Sequence, residues 1–239
     1  MTADSDPTGT PRDQSTGPEV DGDGDGFDMV DLVEEHIEST IGPIEYVYHE
    51  LGFADPHIDV YYVAPGPDRE FHTFVTGGMS SRAMNTHGEV EGKRFAELMI
   101  VLPPEWPVSD DALKQDRYAW PVGLLRSLAH YPHDNDTWFS IGHSIPNGDP
   151  ALPLGEGVDW KAVLLLPSVL LPDVGQMMLP SGQRVNFLCM VPLYTEELEL
   201  KVERGSVVLL ELFDQHGVNE LIRPGRVNVA RRRRWWHAR

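Results

Sequence analysis

Ten histidines make metal chemistry the first question that this sequence raises. His130 and His133 are separated by two residues just after a predicted helix, and His143 follows ten positions later. A zinc site needs three or four ligands at compatible spacing. Pro132 separates the first two histidines, and no HExxH or CxxC pattern accompanies them. Hydrogen-bonded loop histidines are therefore the preferred interpretation.

A carboxylate could complete such a site. The alternative function to test is a metal-dependent enzyme that uses His133, His143 and either Glu97 or Asp59. Glu97 lies in the apolar run FAELMIVL, where we expect its side chain to face outward or to bond a neighbour.

Other catalytic patterns are missing from the sequence. It contains neither a Walker lysine motif nor GxGxxG, and the segment from Gly142 to Pro146 fails the GxSxG pattern at its last position. Cys189 lies in an apolar strand, which favours a buried, inert thiol. We therefore predict no catalytic residue, no cofactor and no resident metal.

An acidic stretch near the beginning of the chain invites a calcium hypothesis. Asp21, Asp23, Asp25 and Gly26 fit four positions of an EF-hand loop, but position 12 falls on Leu32 instead of a glutamate. An acidic linker is the better interpretation.

The formal net charge is −19 over 239 residues, which argues against specific nucleic-acid binding and against binding to anionic membranes. Residues 1–28 carry eight acids and one arginine and are predicted to be a disordered acidic tail. One folded domain is predicted over 29–229. A single cysteine and an N-terminus without an apolar stretch predict a cytoplasmic protein.

Residues 230–239 form an Arg/Trp-rich tail. Arginines beside Trp235 and Trp236 suit nucleic acid or lipid headgroups. A tail that is solvated, or that folds back on the acidic surface, is the preferred interpretation.

The hydrophobic pattern predicts an α+β domain with a mixed, largely antiparallel sheet flanked by helices. Ser109 is expected to begin a helix whose second piece opens at Pro121, and Thr195 is expected to cap another. The predicted elements are helices at 28–41 and 206–216, another from Thr195 to about Gly205, and strands at 44–51, 57–63, 70–76, 95–102, 160–166 and 184–191, with an irregular or strand segment at 138–145.

Several ordered motifs resemble the suppressor-of-fused family, especially its shorter bacterial members. The resemblance spans about 44–229 and is carried by VTGGMSSRAMN at 75–85, NDTW at 135–138, GHSIPNG at 142–148 and PLYTEEL at 192–198. In animals this family is a larger protein that restrains a transcription factor, and this chain resembles its suppressor-of-fused domain alone.

The resemblance implies a non-enzymatic protein-binding module. For bacterial members it further implies an immunity protein that neutralises a toxin, with a generic regulatory adaptor as the alternative. An acidic body, with a net charge of −18 over residues 29–223, would suit a basic protein partner; the oligomeric state is not predicted. The motif residues proposed for interaction are His57, Asp59, Thr76, Gly78, Met79, Ser80, Glu97, Trp138, His143, Pro146, Asn147, Glu196 and Glu197.

Overall fold

The computed structural model describes residues 28–88 and 92–231. Nearly all of the predicted acidic tail, the Asp21–Gly26 calcium hypothesis and the arginines and tryptophans after Arg231 lie outside these residues. The domain limits 29–229 stay a prediction.

Four α-helices and eight strands make up the described chain. The helices are α1 (Met29–Thr40), α2 (Asp116–Asp134), α3 (Thr195–Arg204) and α4 (Ser206–His216). The strands are β1 (Tyr46–Tyr48), β2 (Asp59–Val63), β3 (His72–Gly77), β4 (Phe95–Leu102), β5 (Ser144–Pro146), β6 (Ala162–Leu166), β7 (Gln176–Met178) and β8 (Arg184–Leu193). Two short 3₁₀ turns lie at Met79–Ser81 and Pro172–Val174.

All eight strands belong to one mixed sheet. Their order is β1-β2-β3-β4-β8-β6-β5, and β7 pairs with β8 beside this path. Strands β4 and β8 run parallel, while the other six strand pairs are antiparallel. The predicted α+β class with a largely antiparallel sheet is confirmed.

Helices cover both faces of the sheet. Alternate strand residues point to opposite sides, and the strands carry apolar side chains on each side. Side chains such as Phe74 and Leu98 pack on one face with α2 residues such as Leu125. On the other face, Val75 and its neighbours pack against α1. Farther along that second face, β6 and β8 bury Leu209 and Phe213 of α4.

The first predicted strands are longer than those observed. The strand predicted at 44–51 pairs only over Tyr46–Tyr48, and the one predicted at 57–63 begins at Asp59. The reason is that the side chains of His49, Glu50 and Asp59 tie a loop instead of extending the ladder. The short strand β7 was not predicted.

Helix starts were also predicted wrongly. Ser109 closes an isolated turn, in which its hydroxyl accepts from the Ala112 N–H, and α2 begins only at Asp116. Pro121 lies inside α2 and does not open a second piece. Thr195 is the first residue of α3 and not its cap, which is Tyr194.

Cys189 is buried, and burial raises the pKa of its thiol well above the ordinary value. Within residues 28–88 and 92–231, no helix combines the length and the apolar character needed to cross a membrane.

Candidate functional site

Glu97 is the buried centre of the first group of motif residues. Its side chain is fully inaccessible and does not face outward, contrary to one of the two expectations. The oxygen Oε1 accepts from the Ser80 hydroxyl at 2.6 Å and from the N–H groups of Ser80 and Gly78 at 2.9 and 3.2 Å. The Thr76 hydroxyl donates to Oε2 at 2.5 Å. One carboxyl group thus shapes the turn that follows β3.

Thr76 and Gly78 have separate structural tasks in this turn. Thr76 Oγ1 accepts from the Leu98 N–H at 2.8 Å, so a side chain continues the β3–β4 pairing where the backbone ladder stops. Gly78 has φ = 109°, and a Cβ there would overlap the carbonyl oxygen of His57. The turn therefore fits against the segment before β2 only because residue 78 is glycine.

His133 joins this turn to α2. Its Nε2 lies 3.0 Å from the carbonyl oxygen of Met79, and Met79 itself is fully buried. Burial lowers the pKa of His133, and the charge of Arg82 acts in the same direction. A neutral imidazole is thus the form held at neutral pH.

Two carboxylates close the base of a neighbouring loop, residues 51–57, which we call the clamped loop. Glu50 Oε2 accepts from the Ile58 N–H at 2.9 Å, and Asp59 Oδ1 accepts from the Glu50 N–H at 2.8 Å. His130 of α2 lies 2.7 Å from Glu50 Oε1. The loop is therefore tied across its own base and also to the helix behind it.

Imidazoles surround both carboxylates of the clamp. His49 Nδ1 and His57 Nε2 lie 2.9 and 3.1 Å from the two oxygens of Asp59. Burial acts to raise the pKa of Asp59, but the Glu50 N–H and these histidines outweigh it and hold the pKa below its ordinary value. Glu50 has a lowered pKa for the same kind of reason, with bonds from Ile58 and His130 outweighing burial. Both carboxylates are ionised at neutral pH.

The clamped loop exposes large apolar side chains. Leu51 is 96% exposed and Phe53 is fully exposed. Arg82, which follows the Glu97-bound turn, donates to the carbonyl oxygen of Asp55 at 3.1 Å and so joins the turn to the loop.

A second group of motif residues lines a separate groove of about 660 Å³. The rings of Trp138 and His143 meet edge to face with centroids 4.6 Å apart, and Pro146 lies on the same wall. Lys201 donates to Ser144 Oγ at 2.8 Å and connects this groove to α3. The amide of Asn147 does not line the groove but bonds the carbonyl oxygens of Leu152 and Pro153.

A third group lies at the beginning of α3. The fully buried Glu197 accepts hydrogen bonds from both terminal nitrogens of Arg226, at 2.6 and 2.7 Å. It also accepts hydrogen bonds from the N–H groups of Tyr194 and Val229. Glu196 is exposed and accepts from the Asn228 amide at 2.8 Å.

The structure thus brings seven of the thirteen proposed residues to one region: His57, Asp59, Thr76, Gly78, Met79, Ser80 and Glu97. The remaining six fall into the two other groups. Sequence reasoning missed Glu50, Arg82 and Phe53. Phe53 could have been found from the sequence, because a large apolar residue lies there in a segment whose glycine and Asp-Pro pair indicate a loop.

The residues of the metal-dependent alternative do not converge. In the described chain, no group of three or more histidine, cysteine, aspartate or glutamate side chains is arranged to hold a metal ion. His133, Glu97 and Asp59 each bond different partners within the fold. This hypothesis about His133, His143 and the carboxylates is wrong in its geometry.

Known structures share this fold. A protein from the Sufu–Fu complex aligns with 84% of this chain and 92% of its own, at 19% identity and a TM-score of 0.61. A protein described as a SUFU homolog, from Neisseria gonorrhoeae, aligns over 83% and 97%, at 18% identity and a TM-score of 0.54. Drosophila Suppressor of Fused aligns over 84% of this chain but only half of its own, at 19% identity and a TM-score of 0.56.

The single mixed sheet between two helical layers thus defines the class of domain, and the sequence defines the family. The family model for suppressor of fused protein (SUFU) matches residues 54–227. The chain belongs to the SUFU family, as its motifs predict. A search of curated proteins gives no match.

Gly78→Ala should destabilise the protein far more than Gly157→Ala. Both positions have positive φ, but a Cβ at Gly157 has no heavy atom within 4 Å, whereas at Gly78 it meets backbone. Gly157→Ala should cost about 1 kcal/mol, and Gly78→Ala should cost roughly 1–3 kcal/mol more because of overpacking. Urea unfolding measures both, and equal losses would contradict the close approach.

Glu97 should make the stability of the protein depend on pH. Burial raises the pKa of Glu97 to about 7, against the opposing hydrogen bonds from Ser80 and Thr76. The unfolded pKa is about 4.3, so the stability contributed by the protonated carboxyl is present below that pH and is lost as pH rises through 7. Relative to Glu97→Gln, the wild-type free energy of unfolding should fall by up to about 1.4 kcal/mol per pH unit between pH 5 and 7.

The control for this comparison is Glu199→Gln on the exposed surface of α3. Its difference from wild type should stay flat over the same range. A flat difference for Glu97→Gln as well would contradict the raised pKa.

Proposed function

We propose that this chain is a non-enzymatic protein-binding module that uses the clamped loop as its principal contact. The observation that carries the proposal is the nearly complete exposure of Leu51 and Phe53 on a loop whose base is closed by Glu50 and Asp59. Large apolar side chains exposed to water on one loop gain free energy when a partner covers them.

Preorganisation strengthens this interpretation. A mobile loop would lose conformational entropy on binding, whereas a loop already tied at its base loses less. Aromatic residues, phenylalanine among them, are enriched at protein interfaces relative to the rest of the surface. The clamp therefore has an energetic consequence for binding as well as for folding.

The motif residues fit this role by position. His57 lies in the clamped loop and Asp59 closes it, while Glu97, Thr76, Ser80 and Met79 support the adjoining turn, against which Gly78 lets His57 approach. In the proposal they form or support the contact surface. Trp138, His143 and Pro146 would serve the separate groove instead, Asn147 would fix the loop beside it, and Glu196 and Glu197 would stabilise α3.

We further propose a basic protein as the partner and immunity against a toxin as the role. The body carries −18 over residues 29–223, which would accelerate encounter with a cationic surface. A structural relative is known in the Sufu–Fu complex, which supports binding to protein as a use of this fold.

Phe53→Asp tests the proposal, with Leu152→Asp as the matched control. Leu152 is also exposed, at 62%, but lies in the loop that Asn147 fixes, away from the clamp. Tagged full-length variants would be used to capture partners from the source organism, and affinity for the captured basic protein would then be measured. Phe53→Asp should raise Kd by about 30-fold or more, and Leu152→Asp should leave Kd unchanged.

Equal loss in both variants, or in neither, would contradict the clamped loop as the contact. A captured partner that is acidic would contradict the charge argument while leaving the loop in place. For the immunity role, co-expression of this chain should restore growth to cells that produce the partner.

A further inference from the structure

Helix α4 borders an apolar groove that the proposed function does not use. The groove measures about 640 Å³ and lies between α4 and the ends of β6 and β8. Its apolar lining includes Leu166, Val169, Val191, Val207, Leu210 and Phe213. Val207 and Val169 are 68% and 69% exposed, so the described chain leaves this wall largely uncovered.

Acidic side chains stand at the same groove. Glu211 and Asp214 of α4 line it and are exposed to solvent. Glu220 also lines it, but is buried and bonded to the N–H groups of Val169 and Leu170. An occupant of matching chemistry would combine large apolar groups with cations.

Residues 231–239 of this chain have that chemistry. They read RRRRWWHAR, with four consecutive arginines followed by Trp235 and Trp236 and with no acid among them. This one segment therefore combines large aromatic groups, which suit the apolar lining of the groove, with cations, which suit its carboxylates.

Two residues near the end of the described chain contact apolar side chains that include a wall of the groove. The guanidinium of Arg226 lies 5.3 Å over the ring of Phe213, which is also a wall of the groove. Val229 packs on the apolar cluster that contains Phe213 and Val191. Contacts made shortly before Arg231 therefore involve α4 and the apolar cluster to which Val191 belongs.

The distances allow the tail to return to the groove. From Phe213 to Val207 is six residues of helix, which is about 9 Å. From Arg231, the last described residue, to Trp235 is four residues of chain, which can span up to about 14 Å. This span exceeds the length of α4 between Phe213 and Val207.

We propose that residues 232–239 cover the α4 groove of their own chain, with Trp235 and Trp236 against Val207 and Leu210 and with the arginines beside Glu211 and Asp214. The C-terminal tail then acts as an intramolecular cap on an apolar surface. This inference is independent of the clamped loop and of any partner.

The test uses the full-length protein and its tail fluorescence. Subtracting the emission of a Trp235→Phe, Trp236→Phe double variant from that of the wild type isolates the tail tryptophans. Their emission should be shifted to the blue of free tryptophan, because the groove is apolar. Val207→Asp should abolish the shift, and Val202→Asp on α3 should not; Val202 is 73% exposed and lies outside the groove.

Tail cleavage by trypsin gives a second readout on the same variants. Release of the tail at its arginines should be about tenfold faster or more in Val207→Asp than in wild type or Val202→Asp, because cleavage requires the open form. Circular dichroism checks that all variants are folded.

Three results would overturn the proposal. The first is wild-type tail emission equal to that of free tryptophan. The second is a blue shift that Val207→Asp leaves unchanged, which would place the tail elsewhere. The third is a shift that depends on protein concentration, which would mean that the tail covers the groove of a second copy.

Discussion

Hydrogen bonds from backbone N–H groups to buried carboxylates hold the connections of this fold in place. Glu97, Glu197 and Glu220 are at most 3% exposed, and each accepts two main-chain N–H groups from segments outside the strands and α-helices. Burying a carboxyl group costs free energy unless its oxygens are bonded, and buried N–H groups carry a similar cost. Each glutamate offsets both costs at once, and Arg226 neutralises Glu197 as well.

The surface features depend on these interior contacts. The Glu97-bound turn places Gly78 against the carbonyl of His57, and this contact supports the last residue of the clamped loop. Elsewhere, Glu197 and Arg226 hold residues 226–229 against the beginning of α3, and Glu220 holds residues 168–170 at the edge of the apolar groove. Two separate apolar surfaces are therefore positioned by the same kind of interaction. One is proposed for a partner and the other for the chain's own tail.

Much of the fold could be predicted from hydrophobic periodicity, and less of the site. Strand β4 has the predicted limits because seven of its eight residues are apolar, and α4 is correct because Ser206 and Gly217 delimit it. The clamp could not be predicted, because the bond between Glu50 and His130 joins residues eighty positions apart. Glu97 shows the same limit: periodicity cannot reveal that a carboxylate inside a strand has four donors around it. Ordered motifs identified the family, which periodicity alone could not.

Hydrogen exchange tests most directly whether the buried carboxylates hold the connections. The six amides bonded to them belong to Gly78, Ser80, Val169, Leu170, Tyr194 and Val229. Although none lies in a strand or an α-helix, they should exchange far more slowly than the amides of residues 51–54, by about 100-fold or more, because opening must break a bond to a buried carboxyl group. Exchange of these six amides at the rate of the exposed loop would contradict the account.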